Sequence, residues 1–353
     1  MSQDWIDVGT ADMFIDGESL PVVAGDQKVA VFRLGDEIFA LKDLCTHGNA
    51  KLSDGYIEDG CVECPLHQGL FDIRTGEVRC APLTENVRRF PVRVVDGRVE
   101  VDIAKIDESG DILPEMKQGS VVVRDIVRAA DDVAIVQLDC AGMGKLDYRA
   151  GQYIDVLLED NQSRSYSMAT ASGSDVIELH IRHMPGGLFS DRVFGELTSG
   201  IALNINGPIG SFYLRDTQAP VILLASGTGF APVKAIIEEA VRTGNQRLMT
   251  LYWGGRRQAD LYMHARCLEW EATYPWFHYV PVLSEANTQW QGKTGFVHLA
   301  VMEDCPDLAN HEVYACGAPV VIESARRDFV ARCNLPEQHF YADAFVSKAD
   351  VLA

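Results

Sequence analysis

The stretch Ala219-Pro220-Val221-Ile222-Leu223-Leu224-Ala225-Ser226-Gly227-Thr228-Gly229-Phe230-Ala231-Pro232 sets the fold of the C-terminal third of this 353-residue chain. The apolar run at 221–225 reads as a buried strand. Gly227 and Gly229 let the backbone turn and approach a ligand closely. Pro232 suits the first turn of a helix, where its missing N–H costs nothing. A strand, a glycine turn and a helix in that order place a helix N-terminus where dinucleotide phosphates sit in α/β proteins. The loop departs from G-x-G-x-x-G, because Pro232 holds the sixth place. The next strand ends in Gly254-Gly255-Arg256-Arg257 and lacks the acidic ribose-binding residue. Alone, the loop does not define a cofactor.

Downstream the same alternation continues. A helix over 232–242, with Gly244 as its cap, is followed by a strand at 248–253 and a helix at 259–272. A strand at 277–283, a helix around 297–302, a strand at 312–315, a helix at 320–332 and a strand at 340–345 complete it. Repeated β–α units predict a parallel sheet covered by helices. Upstream, short apolar runs at 121–127, 134–138, 153–158, 176–181 and 201–205, with one helix near 188–197, predict a small antiparallel β-barrel. Residues 104–119 are polar, with Glu108-Ser109-Gly110-Asp111 and Pro114, and read as a linker. Residues 1–103 read as all-β, with Asp96-Gly97 turning a hairpin between 90–95 and 98–103. The expected architecture is multidomain: an all-β domain at 1–103, a linker at 104–119, an antiparallel β-barrel at 120–217 and an α/β parallel-sheet domain at 218–353.

Composition bounds the function. A net charge of -20 repels nucleic acid and anionic lipid. No apolar run is long enough to span a bilayer, and the N-terminus has no basic-then-apolar leader, so a cytoplasmic location is expected. Nine cysteines, an odd number, argue against a disulfide scaffold.

Two of those cysteines lie beside histidines. Cys45-Thr46-His47 is followed, sixteen residues on, by Cys64-Pro65-Leu66-His67. Such a set can ligate a metal, and structural zinc is one option, although the spacing is not that of a zinc finger. Cys45-Thr46-His47-Gly48, Cys64-Pro65-Leu66-His67-Gln68-Gly69 and Cys80-Ala81-Pro82 resemble the loops of Rieske proteins, specifically the ferredoxins of aromatic-ring dioxygenases. That resemblance implies a 2Fe–2S cluster with Cys45 and Cys64 on one iron and His47 and His67 on the other. Neutral imidazoles in place of two thiolates raise the reduction potential. The extra loop cysteines of respiratory Rieske proteins are absent here, which favours the ferredoxin type.

Arg164-Ser165-Tyr166-Ser167 resembles the R-x-Y-S motif of the ferredoxin–NADP reductase superfamily. By that resemblance Arg164 meets a flavin phosphate, Tyr166 packs on the ring or ribityl chain, and Ser167 touches the flavin N5 edge. His183-Met184-Pro185-Gly186-Gly187-Leu188-Phe189-Ser190 resembles the pyrophosphate loop of FAD-binding members, which favours FAD over FMN. The Gly227-Thr228-Gly229-Phe230-Ala231-Pro232 loop and Cys316-Gly317-Ala318-Pro319 then resemble the superfamily's nicotinamide site, with Cys316 against the nicotinamide. Tyr341-Ala342-Asp343-Ala344-Phe345 resembles its ending: Phe345 is expected to cover the flavin face and Asp343 to sit nearby. Ser284-Glu285 stands where NADP-specific relatives often carry Ser-Arg, which favours NADH, whereas Arg256 and Arg257 favour NADPH; NADH ranks first.

These resemblances imply electron flow from NADH to FAD to the Rieske cluster and on to a terminal oxygenase that acts on aromatic compounds. Leu179-His180-Ile181-Arg182-His183-Met184-Pro185-Gly186-Gly187-Leu188-Phe189 and Tyr252-Trp253-Gly254-Gly255-Arg256-Arg257 also resemble CDP-6-deoxyglucoseen reductases of deoxysugar synthesis, and a general flavin or cytochrome reductase is a third expectation.

Overall fold

A computed structural model of the chain describes residues 5–25, 27–46, 50–65, 68–80, 83, 86–103, 116–144, 146–159 and 162–345. The chain divides into two compact units, with the boundary between Leu113 and Pro114.

The first unit is built from three antiparallel sheets. Ser19–Ala24, Gln27–Leu34, Glu37–Lys42 and Arg89–Phe90 form one. Trp5–Thr10, Arg98–Asp102 and Val92–Val95 form the second, and Tyr56–Glu58, Cys61–Glu63 and Leu70–Asp72 the third. The apolar run Val29-Ala30-Val31-Phe32 explains how they join. Side chains alternate across a strand, so Val29 and Val31 enter one core with Phe90, Val99 and Val101, while Ala30 and Phe32 enter another with Cys45, Val62, Cys64 and Phe71. The second core holds both Cys45 and Cys64. Asp96 and Gly97 both adopt positive φ, as a tight hairpin turn requires.

The second unit begins with the strand Lys117–Ala130, which starts inside the stretch read as linker. Six antiparallel strands run in the order Ser163–Ser167, Tyr153–Leu157, Ala202–Ile209, Lys117–Ala130, Val133–Asp139, Val176–Arg182. A bridge from Met168 to Leu179 brings the two edges together, curling the sheet into a barrel. The helix expected over 188–197 is shorter, Leu188–Phe194, and ends at Gly195.

A six-stranded parallel sheet follows, in the order Lys293–Thr294, Phe277–Leu283, Met249–Gly255, Val221–Ser226, Glu312–Gly317, Phe340–Ala344. The helix Phe230–Thr243 ends at Gly244, whose φ of 72° satisfies the last carbonyls. The helix read at 259–272 starts later, at His264–Thr273. The reason is Asp260: its carboxylate accepts the backbone N–H groups of Arg256 and Arg257, at 2.8 and 3.1 Å, and holds that segment in a separate turn. A buried ion pair, Arg247 with Glu312 at 2.5 Å, ties the base of the sheet, and Tyr314 donates to the same carboxylate. Among the described residues no helix is long and apolar enough to cross a membrane.

Candidate functional site

In the first unit Cys45 and Cys64 are both buried in one apolar cluster. Each sits at the mouth of a loop closed by the backbone: Cys45 N–H donates to Ala50 O at 2.9 Å, and Cys64 N–H to Gly69 O at 2.8 Å. The base of the first loop is pinned by Asp43, whose two oxygens accept from Ser53 N–H and Oγ at 2.8 and 2.9 Å. The second is braced by Cys80, whose sulfur accepts the Leu70 N–H at 3.3 Å. His47 and His67 lie outside the described residues. Two cysteines withdrawn from water in one apolar cluster suit thiolate ligation of an iron–sulfur centre.

In the second unit, Ser167, Cys316 and Asp343 converge although they are far apart in sequence. Ser167 comes from a barrel strand, and Cys316 and Asp343 stand opposite each other on neighbouring parallel strands. Ser167 Oγ donates to Asp343 Oδ2 at 3.2 Å, and Cys316 Sγ lies 3.8 Å from the same oxygen. Burial pushes the Asp343 carboxyl up to about 6, against the lowering effect of those two donors. Phe345 packs against the neighbouring core, and its N–H donates to Gly317 O at 2.8 Å.

Tyr166 tilts over Phe189 with ring centres 5.5 Å apart, and burial raises its phenol to about 12. Arg164, on the same strand, donates to Ser163 O. The residues of the expected pyrophosphate loop are largely bonded to one another. His183 bonds Asp191 at 2.9 Å and stacks on Phe194; the Gly186 N–H donates to Asp191; Ser190 Oγ bonds both backbone groups of Met184. Gly187 caps the helix, and a Cβ there would stand 2.5 Å from Ser190 Oγ. Leu188 is exposed and Phe189 is in the barrel core.

The two glycine loops of the parallel sheet meet edge to edge. A Cβ on Gly229 would stand 2.2 Å from Cys316 O, and one on Gly317 would stand 2.7 Å from Ser226 Cβ. Gly227, the residue before Thr228, takes a φ of 56°. Pro232 is buried in its helix, and Pro319 opens the helix Pro319–Arg332.

Sequence reading missed a cation. Arg182 ends the barrel strand Val176–Arg182, and its Nη1 lies 3.1 Å from where a Gly227 Cβ would be. Its Nε and Nη2 are buried and make no hydrogen bond; Asp132 Oδ2 lies 3.3 Å from Nε. The signal was a charge closing an apolar strand. Unsatisfied guanidinium donors beside a side-chain-free backbone fit a phosphate group. Also unforeseen was a buried polar chain across the barrel and sheet. Tyr262 OH meets His180 Nδ1 at 2.7 Å, His180 Nε2 meets Glu178 at 2.8 Å, and Lys234 meets Glu178 at 3.2 Å. Burial keeps His180 below its usual range, hence neutral, while His180 and Lys234 outweigh desolvation and bring Glu178 down to about 2.

Comparison with known proteins agrees with this geometry. Residues 4–91 match the Rieske [2Fe-2S] domain, residues 120–213 the oxidoreductase FAD-binding domain, and residues 223–327 the oxidoreductase NAD-binding domain. The chain belongs to the Rieske proteins in its first unit and to the FAD- and NAD-binding oxidoreductases in its second. One chain thus carries a Rieske [2Fe-2S] domain, an FAD-binding domain and an NAD-binding domain. The first unit is similar to the anthranilate 1,2-dioxygenase ferredoxin subunit of Burkholderia cepacia: 60% identical over 28% of this chain and 93% of that protein. The second is similar to the CDP-6-deoxy-L-threo-D-glycero-4-hexulose-3-dehydrase reductase of Yersinia pestis: 44% identical over 61% of this chain. The matched part spans 65% of the length of that reductase. The crystal structure of the Amycolatopsis cytochrome P450 reductase GcoB is similar with a TM-score of 0.63 and 30% identity, covering 67% of this chain and 72% of that one.

Proposed function

We propose that this chain takes electrons from NADH and delivers them to a terminal oxygenase, a Rieske non-haem iron enzyme acting on an aromatic substrate. The observation that carries the reading is the first unit's likeness to a dioxygenase ferredoxin over nearly the whole of that protein. When bound, a flavin exchanges two electrons with nicotinamide and passes them singly to a one-electron iron–sulfur carrier.

The chain's residues supply the rest. Cys45, His47, Cys64 and His67 hold the cluster. Arg164 and the 183–190 loop hold the flavin phosphates, with Tyr166 and Phe345 lining the ring. Thr228 and the glycines around it, with Gly317, let the nucleotide backbone approach, and Arg182 supplies positive charge. Ser167 hydroxyl and Cys316 thiol point at one oxygen of Asp343, which retains its proton up to about pH 6 and can hold or release it at that atom.

NADH is the preferred donor. Arg257 Nε lies 3.3 Å from Glu285, and Arg256 Nε lies 3.4 Å from Asp260. Both guanidiniums therefore already face carboxylates, and a 2′-phosphate would have to displace them against repulsion.

The test is substrate-dependent NADH oxidation on adding candidate oxygenases and their aromatic substrates. His67→Ala should abolish cytochrome reduction yet spare NADH-dependent ferricyanide reduction; equal loss of both would count against the electron order. The second reading, electron supply to deoxysugar synthesis, is favoured by the 44% identity of the reductase half. It predicts instead that a CDP-hexulose dehydrase, not an oxygenase, drives NADH oxidation.

A further inference from the structure

The nucleotide loop is held from beneath by an aromatic side chain with a polar edge. Trp253 is fully buried near the end of Met249–Gly255, in register with Ala225 on the neighbouring strand. Its indole Nε1 donates to Gly227 O at 3.0 Å. The same carbonyl accepts the backbone N–H of Phe230, so both of its lone pairs are used. The indole also stacks flat on the Phe230 ring, with centres 3.9 Å apart and planes 10° apart, and Tyr262 meets it edge-on at 5.2 Å. Phe230 is the first residue of the helix that follows the loop. One side chain thus fixes the loop's first peptide and the helix's first residue together.

We propose that Trp253 is a positioning residue for the dinucleotide pyrophosphate. By anchoring the Gly227 carbonyl toward the core, it fixes the plane of the Gly227–Thr228 peptide, whose N–H then points away from the core toward the phosphates. Phe, Tyr or Leu at this position would pack the core without this bond in its place. The proposal rests on the reading of this loop as the NADH site.

The experiment compares Trp253→Phe and Phe230→Leu with the wild-type holoenzyme. The readouts are NADH-dependent ferricyanide reduction, ADP-ribose binding by titration calorimetry, and thermal unfolding. Trp253→Phe keeps a flat ring but removes the N–H together with part of the buried indole, and thermal unfolding reads the packing loss separately. Losing one hydrogen bond to the loop should raise KM for NADH and Kd for ADP-ribose by the same factor, about three- to ten-fold, with kcat unchanged. Phe230→Leu keeps the indole N–H, breaks the stack and removes volume from the same core, so it should lower the unfolding temperature comparably and weaken ADP-ribose less. Unchanged ADP-ribose affinity in a folded Trp253→Phe protein would overturn the proposal. So would an equal affinity loss in both variants, which would make the effect one of core packing. A wild-type protein that fails to bind ADP-ribose at all would instead overturn the nucleotide site itself, and the proposal with it.

Discussion

Replacing Asp343 by Asn should stabilise the reductase half at neutral pH and do so less in acid. Asp343 is buried, and its carboxyl rises from 3.8 to about 6 because the ionised form is desolvated. A group whose native pKa is raised binds its proton more tightly when folded. Below pH 3.8 the carboxyl is neutral in both states and carries no penalty. Between 3.8 and about 6 the unfolded chain ionises while the native one resists, so stability falls as pH rises. Above 6 the loss is complete, and at 1.36 kcal/mol per unit it reaches about 3 kcal/mol. Asn cannot ionise but keeps an acceptor for Ser167 and Cys316. The stability gained by Asp343→Asn should therefore grow by about 3 kcal/mol from pH 3.5 to pH 7, on top of a constant offset from altered hydrogen bonding. Urea unfolding followed by tryptophan fluorescence reads this region, because Trp253, Trp270, Trp276 and Trp290 all lie in the parallel-sheet domain. A difference between variant and wild type that stays flat across that pH range would refute the buried acid. The same variant should lower NADH turnover if Asp343 serves as a proton reservoir.

Other perturbations follow the same geometry. Gly229→Ala places a methyl group 2.2 Å from Cys316 O, so it should cost about 1–3 kcal/mol in urea unfolding and weaken NADH binding. Arg247→Leu leaves the buried Glu312 without its cation and should cost about 3–5 kcal/mol by the same measurement. Glu285→Gln removes the carboxylate that faces Arg257 and should raise kcat/KM for NADPH about ten-fold relative to NADH, the order expected from one charged contact.

The alternation of strands and helices after Val221 was legible because buried parallel strands are continuous apolar runs bounded by glycines. The barrel strand Ser163–Ser167 is not legible as a strand, because it is short and polar and is held by pairing with Tyr153–Leu157. Helical periodicity starts the helix at His264 too early, because it does not register that the Asp260 side chain captures two backbone N–H groups. Among site residues, Ser167, Cys316 and Asp343 were named from motifs, but their meeting at one oxygen depends on sheet register, which no local pattern encodes. Arg182 and Trp253 escaped for a related reason. Each acts on Gly227 from a different strand, and each looks in sequence like the end of an ordinary β segment.

The proposed electron path requires that nicotinamide electrons reach an iron–sulfur cluster in the first unit. Anaerobic titration of the full-length holoprotein with NADH, followed in parallel by flavin absorbance and low-temperature EPR, tests this directly. NADH alone should bleach the flavin and raise the low-average-g signal of mixed Cys/His ligation, and His67→Ala should keep the bleaching and lose the signal. Bleaching by NADH with no such signal, in protein where dithionite elicits it, would contradict the account.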